Sequence, residues 1–350
     1  MYENVNGDYM LILSNGLTES ADEGFLNVAT NLVKRIKRVS PDTVVVSYDR
    51  KSQLADRYIE LNKLLLNFEL FSVLRKNKSS FLYIPFPAKM VSTALRIFIL
   101  SLFSKSKVNA LLVMRGNVDF AAKLLFKLSR AKIIVLSKES EDFYQTFLPE
   151  KNVMLLKTGV DCTKFSPVSE AKSAELKIKY GFKPGIPLIL HVGHLNEGRN
   201  IRTLMDISEK YQVLLVTSTL TKNEQNLELK KDLLSRPNIR LIDEYISDIN
   251  EIYQMSDVYF FPVVESGNCI DIPLSCLEAA ACNKPVVTTD YRSMKDFIGK
   301  SGFYFLKTFD NKSINSVIEQ ALMFSGDSRK NVVEYNWDNA TYNLTNLEVK

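Results

Sequence analysis

The sequence predicts an α/β protein of two domains, each built on a parallel sheet covered by helices. Three observations predict it. Short apolar runs alternate with amphipathic stretches at helical spacing along most of the chain. The runs are apolar on both faces, as strands sandwiched between helices must be. The alternation pauses once, at a linker over residues 159–167, and then begins again. A length of 350 residues suits two domains of ordinary size.

Each element follows from local pattern. Residues 9–13 (YMLIL) form an apolar run closed by Ser14-Asn15-Gly16, a strand and its turn. In the helical stretch that follows, Phe25, Val28, Ala29, Leu32, Val33 and Ile36 share one face, with acidic residues before the helix and basic ones at its end. Residues 43–48 (TVVVSY) give the next strand, and 80–84 (SFLYI) another, stopped by Pro85 and Pro87. An apolar helix over 89–107 precedes strands at 110–114 and 132–136, which a crossover helix joins. The second series has strands at 188–192, 212–217, 239–242, 258–261 and 286–288. A late helix carrying Trp337, the only tryptophan, would pack back on the first domain.

Composition removes several classes of function. At 46% hydrophobic and 24% charged, the chain is globular and not disordered. The four cysteines, Cys162, Cys269, Cys276 and Cys282, make no C-x-x-C pair, and there are only two histidines, so a structural zinc site is not expected. Neither a signal peptide nor an apolar run long enough to cross a bilayer is visible, which suits a cytosolic protein. Charge is uneven. Residues 1–165 hold 24 Lys+Arg against 16 Asp+Glu, and 34–107 hold 15 against 5. The first half is therefore expected to meet something anionic. No nucleic-acid motif accompanies that charge, so lipid or a phosphate-bearing acceptor is preferred.

Two stretches of the second half carry chemistry. In the first, HVGHLNEGRN, a strand ends at Val192 and Gly193 opens a turn at its carboxyl end, where parallel α/β sheets bind ligands. Arg199 follows at the start of a predicted helix, and a guanidinium there can clasp a diphosphate; on spacing alone a surface arginine capping a turn is the preferred reading. In the second stretch, the strand 258–261 runs through Pro262 into a polar loop (ESGNCID), and Pro273 opens a helix that Asn283 stops. The loop amides of Glu265, Asn268, Cys269, Ile270 and Ile272, with the helix N-terminus, offer an anion site. Glu278 lies in mid-helix on a small apolar segment and needs a partner: ribose hydroxyls, or a neighbouring Lys or Arg.

Taken in order, Gly193-His194-Leu195 with Arg199-Asn200, the strand end Phe261-Pro262, and residues 273–285 (PLSCLEAAACNKP) resemble the glycosyltransferases of family four (glycosyl transferases group 1), retaining enzymes of the GT-B fold. The linker Gly159-Val160-Asp161 with Phe165-Ser166-Pro167 fits the pattern, as does Tyr335-x-Trp337. The resemblance is firm over 159–300 and thin over the first half.

It implies two Rossmann-like domains facing a central cleft: an acceptor domain over 1–165, joined by a helix at about 336–350, and a nucleotide-sugar donor domain over 166–335. It implies transfer of a hexose from a nucleotide sugar to a hydroxyl acceptor, such as a glycan or a lipid-linked glycan. No metal and no cofactor is implied beyond the nucleotide sugar as co-substrate, and no D-x-D metal motif occurs. Arg199 takes the slot of the family's basic residue on the donor phosphates, and His194 stands where most members have an arginine. Glu278 matches the last glutamate of the family's E-x7-E motif, which binds the ribose. Gly24 is a match for the glycine-rich loop near donor phosphate and acceptor. Residues 243–246 are expected near the base. His191 is read as a core residue of its strand.

Three positions depart from the pattern. The first glutamate of E-x7-E falls on Ile270, with Asp271 as its substitute and Glu265 as a second candidate. The family's N-domain histidine is absent, leaving Arg115 or Asn117 to serve. The glycine pair after Thr288-Thr289-Asp290 is replaced by Tyr291-Arg292. Two other readings stay open: a non-catalytic nucleotide- or partner-binding module, which these departures favour, and a sugar-nucleotide epimerase, which lacks histidines for acid/base work. On the acceptor side, the helix with Leu95, Phe98, Ile99, Leu102 and Phe103 either rests on an anionic membrane or is an ordinary core helix flanked by solvated charge.

Overall fold

The computed structural model describes residues 9–18, 24–86, 89–217, 226–265, 267 and 269–347. The chain divides into two compact units, residues 1–158 with 337–350, and residues 159–336. The stretch 159–165, expected with the first domain, clusters with the second.

The first unit runs through β1 (Leu11–Ser14), α1 (Gly24–Val39), β2 (Val44–Ser47), β3 (Arg57–Tyr58), α2 (Phe68–Lys76), β4 (Phe81–Ile84), α3 (Met90–Phe103), β5 (Val108–Leu112), α4 (Phe120–Ser129), β6 (Lys132–Val135), α5 (Lys138–Gln145) and β7 (Val153–Leu155). Its seven strands lie in the order β3-β2-β1-β4-β5-β6-β7 and pair in parallel. The predicted stripe of α1, from Phe25 to Ile36, is buried. On the other side of the sheet, Leu70 and Leu74 of α2, Ala94 and Ile97 of α3, and Ala122 and Phe126 of α4 share one core with Leu11, Phe81, Ala110 and Ile133.

The second unit runs through α6 (Glu170–Lys179), β8 (Leu188–Val192), β9 (Gln212–Val216), α7 (Leu227–Leu234), β10 (Ile239–Ile242), α8 (Ile249–Met255), β11 (Val258–Phe261), α9 (Leu274–Ala281), β12 (Val286–Thr288), β13 (Phe303–Phe305) and α10 (Asn311–Leu322). The six strands, again parallel, lie in the order β10-β9-β8-β11-β12-β13. A last helix, α11 (Trp337–Thr345), belongs to the first unit and packs on α1.

The helix starts follow side-chain chemistry. Asn67, Asp119, Ser137, Ser169, Asn226 and Asp310 each accept a backbone N–H in the first turn of the helix that follows. Asn283 stops α9 at φ 58°, where its amide reaches the Ala280 carbonyl and that of Lys284 reaches Ala279. Among the described residues no helix is long and apolar enough to cross a membrane.

One element differs in kind from expectation. No α-helix follows Gly193. Two short 3-10 turns, Glu197–Arg199 and Ile201–Asp206, stand there instead, because Asn200 between them is left-handed at φ 56°.

Candidate functional site

Strand order reverses in the second sheet between β8 and β11, whose neighbours run outward in opposite directions. The crevice at the carboxyl ends of such strands is where open α/β sheets bind ligands. Gly193 leaves β8 at this point, and its amide donates to the Val216 carbonyl at 2.9 Å. A Cβ on Gly193 would collide with Arg199 Nη1 and lie 3.1 Å from His191 Nε2, so only glycine leaves room for the guanidinium.

Arg199 is only 7% exposed. The side chain of Asn196 accepts its amide at 3.1 Å, and Asn200 Nδ2 donates to the Pro262 carbonyl at 3.3 Å, pinning the turn to the end of β11. Arg199 Nε has no hydrogen-bond partner, and among the described residues Arg199 makes no salt bridge. Its charge falls on neutral groups. Burial raises the Cys269 and Cys276 thiols and the Tyr259 and Tyr291 hydroxyls, and Arg199 pulls each of them back. A desolvated guanidinium without a carboxylate is strongly anion-seeking.

His191 is fully buried beneath the same turn. Its Nδ1 lies 2.8 Å from the Phe260 carbonyl, which assigns the proton to that nitrogen and leaves Nε2 without a partner. Burial lowers it to about 4; the Phe260 carbonyl opposes this and Arg199 adds to it, so the ring is neutral. His194 is half-buried on the turn itself.

The loop after β11 is tied down at several points. Thr289 Oγ1 donates to the Val263 carbonyl, and the Tyr291 hydroxyl donates to the Cys269 carbonyl at 2.6 Å. Glu265 is exposed, Ile270 and Ile272 are buried, and Asn268 lies outside the described residues. Asp271 is buried and faces Arg292, with Nε 3.8 Å from Oδ1. Arg292 stands at φ 44°, in the left-handed region where the family pattern has glycine. Asp271 and Arg292, two positions where a departure from the resembled pattern was expected, therefore face each other.

Glu278 projects from α9 half-buried, and burial raises it to about 7, with the Tyr253 hydroxyl and Lys164 pulling it back. At the end of β10, Asp243 pairs with Lys230 at 2.7 Å and Tyr245 is 60% exposed. Among the described residues no group of three His, Cys, Asp or Glu side chains is placed to hold a metal ion. All four cysteines are free thiols.

The structure thus brings Gly193, His194, Arg199 and Cys269 to one crevice of the second unit. Gly24, Arg115 and Asn117 belong to the first unit. Arg115 is held by α5: its Nη2 donates to Glu139 Oε1 at 2.8 Å and its guanidinium stacks on Phe143 at 4.6 Å. Asn117 is exposed and Gly24 half-buried at the start of α1. The tight approach at the first sheet's own reversal, between β1 and β4, falls on Gly16, where a Cβ would collide with the Phe25 ring. Sequence reasoning had read Gly16 only as a turn. It also passed over Asn196, whose spacing of three from Arg199 is a capping signal, and the ring of Tyr291.

Residues 186–323 match the family described as Glycosyl transferases group 1. EpsD of Bacillus subtilis strain 168, whose name places it among glycosyltransferases, is 27% identical over 169 residues, 46% of this chain and 43% of its own. The N,N'-diacetylbacillosaminyl-diphospho-undecaprenol alpha-1,3-N-acetylgalactosaminyltransferase of Campylobacter jejuni is 25% identical over 190 residues, 51% of this chain and 47% of its own. The chain thus spans under half the length of these relatives. The crystal structure of Anabaena Alr3699/HepE with UDP-glucose superposes with a TM-score of 0.72 at 11% identity, over 96% of this chain and 98% of that one. Two parallel-sheet α/β units and this likeness identify the GT-B fold.

Proposed function

We propose that the chain is a retaining glycosyltransferase of family four, which moves a hexose from a nucleotide sugar to a hydroxyl of a glycan or lipid-linked glycan. The observation that carries the reading is Arg199, buried and, among the described residues, without a salt bridge, at the carboxyl end of β8 behind a glycine that clears space for it. The group 1 match over the same unit supports it, as does the likeness to HepE, solved with UDP-glucose. A lipid-diphosphate acceptor is suggested by the name of the Campylobacter relative.

In this mechanism the donor diphosphate lies against Arg199, His194 and the N-terminus of α9, and the ribose hydroxyls meet Glu278. The bond between the anomeric carbon and the phosphate oxygen breaks while the acceptor oxygen bonds to that carbon on the same face. The leaving diphosphate takes the acceptor's proton. Fixed positive charge at the leaving group supplies the main rate term and requires no metal. Asp271 and Glu265 remain the two carboxylates for the sugar side, Asp271 acting from its place beside Arg292. Gly24, Arg115 and Asn117 are assigned to the acceptor side. A lipid-linked acceptor would place the protein peripherally at the inner face of a membrane.

The buried apolar Ile270 at the first carboxylate position favours a second reading, a nucleotide-binding module without catalysis. Thermal shift with UDP, GDP, ADP and their sugar conjugates, together with assays for nucleotide release, separates the two. At about a hundred times its dissociation constant a ligand adds roughly 2.7 kcal/mol of stability. A shift with turnover upholds transfer, a shift without turnover leaves the binding module, and a flat panel removes both.

A further inference from the structure

Strand β8 places a histidine where its neighbours are apolar. Leu188, Ile189 and Leu190 are buried, and so is His191, which brings two ring nitrogens into the sheet. One of them is spent: Nδ1 donates to the Phe260 carbonyl of β11 at 2.8 Å. That bond fixes the ring, and burial holds it neutral, so Nε2 is an acceptor. Among the described residues Nε2 has no donor. A buried acceptor left open lowers stability, and a leucine or valine would fill the same place without that cost.

The open nitrogen borders the turn that holds Arg199. Consider the point where a side chain on Gly193 would begin. Beyond the chain neighbours, the three nearest heavy atoms are Nη1 and Cζ of Arg199 and Nε2 of His191, the last at 3.1 Å. One residue thus offers a donor and the other an acceptor to the same small space, which the glycine keeps clear. Other groups around the turn are committed. The Tyr259 hydroxyl donates to the Val192 carbonyl at 3.2 Å, the Asn196 side chain accepts the Arg199 amide, and Asn200 Nδ2 donates to the Pro262 carbonyl. Arg199, itself buried, keeps an open donor at Nε.

We propose that His191 is a positioning residue for Arg199: with a donor diphosphate bound, its Nε2 accepts an N–H from Nη1 across the space beside Gly193. This turns the other edge of the guanidinium, carrying Nε and Nη2, to the phosphate oxygens. A planar guanidinium clasps an oxyanion with two parallel bonds only when that fork is aimed, and fixing one edge beforehand leaves less freedom to lose on binding. A neutral ring suits the task better than a carboxylate, which would pair with the guanidinium and compete with the diphosphate. The inference rests on the proposed function, since it names how the donor site of that reading is held ready.

The test separates the two ring nitrogens. In His191→Gln the amide oxygen reaches the place of Nε2. In His191→Asn the amide nitrogen takes the place of Nδ1 and keeps the bond to Phe260. Calorimetry on both variants and the unchanged chain gives dissociation constants for UDP, GDP, ADP, their nucleosides and inorganic pyrophosphate, with melting temperatures to confirm folding. His191→Asn is expected to weaken the diphosphates about tenfold and leave the nucleosides unchanged, and His191→Gln to recover most of that loss. With Arg199→Ala as background, the two variants should bind alike. If the asparagine variant does not fold, the nitrogen-15 resonance of Nε2 in the unchanged chain decides: it should move when nucleotide is added, and a stationary resonance overturns the inference. An asparagine variant as tight as the unchanged chain, or an equal loss for nucleoside and diphosphate, overturns it while the transferase reading stands. If neither nucleotide nor pyrophosphate binds the unchanged chain, both fall together.

Discussion

Both sheets reverse strand order next to their first strand, between β1 and β4 in one unit and β8 and β11 in the other. The chain furnishes these two crevices differently. In the second unit a charge is withdrawn from water and, among the described residues, has no salt bridge: Arg199 sits under Gly193 among thiols and phenols. In the first unit Arg115, which follows β5, is instead satisfied internally, held by Glu139 and stacked on Phe143. Two buried Tyr hydroxyls, Tyr48 and Tyr83, also pair with each other there at 3.2 Å. Similar architecture thus holds one arginine buried among neutral groups and another paired with a carboxylate. An uncompensated charge is informative because folding gains nothing from it.

The largest expected effect tests that charge. Arg199→Ala should abolish the nucleotide-induced melting shift, a loss of about 3 kcal/mol of binding, while leaving the unliganded protein as stable as before or more so. A matching fall in unliganded stability would mean that Arg199 is structural, and the contrast between the crevices would collapse. Next comes Gly193→Ala. The added methyl displaces the guanidinium, at a cost of about 1–3 kcal/mol spread between folding and nucleotide affinity, read by melting and calorimetry.

Glu278 gives a smaller, pH-shaped effect. Its folded value of about 7 lies above the ordinary 4.5. Between the two the folded chain holds the proton more tightly than the unfolded chain, so stability should fall as pH rises through that window, by at most about 3 kcal/mol. Nucleotide affinity should rise over the upper part of the same window as the carboxylate ionises. Glu278→Gln should flatten the stability profile and weaken nucleotide binding about tenfold above pH 7. The smallest effect is expected in the first unit. Arg115→Met should cost about 1 kcal/mol of stability and leave nucleotide affinity unchanged, since its contacts are local.

The parallel fold and the close approach of Gly193 and Arg199 were legible because they rest on continuous apolar runs and on a glycine followed by an arginine six residues on. What escaped was short, polar or distant in sequence. β3, β7 and β13, all at sheet edges, have only two or three residues each, too short for a periodic pattern to announce them. Helix α5 (KESEDFYQ) is polar enough to read as loop, and only its Ser137 cap marks it. The pairing of Asp271 with Arg292 joins positions 21 apart that each looked like a separate defect. No local pattern encodes such a meeting, and its left-handed Arg292 backbone becomes visible only once both are placed.

The path of the chain has a mechanical consequence. The second unit is an insertion in the first: its two ends lie side by side, with the Val160 amide donating to the Tyr335 carbonyl at 3.0 Å, before α11 returns to α1. If the molecule is stretched between residues 9 and 347, tension reaches α11 first, held by its packing on α1 and by the Arg35–Asp338 pair. That helix would peel away like a latch at low force. The inserted sheet, clamped at adjacent points, would stay shielded until the latch had given way.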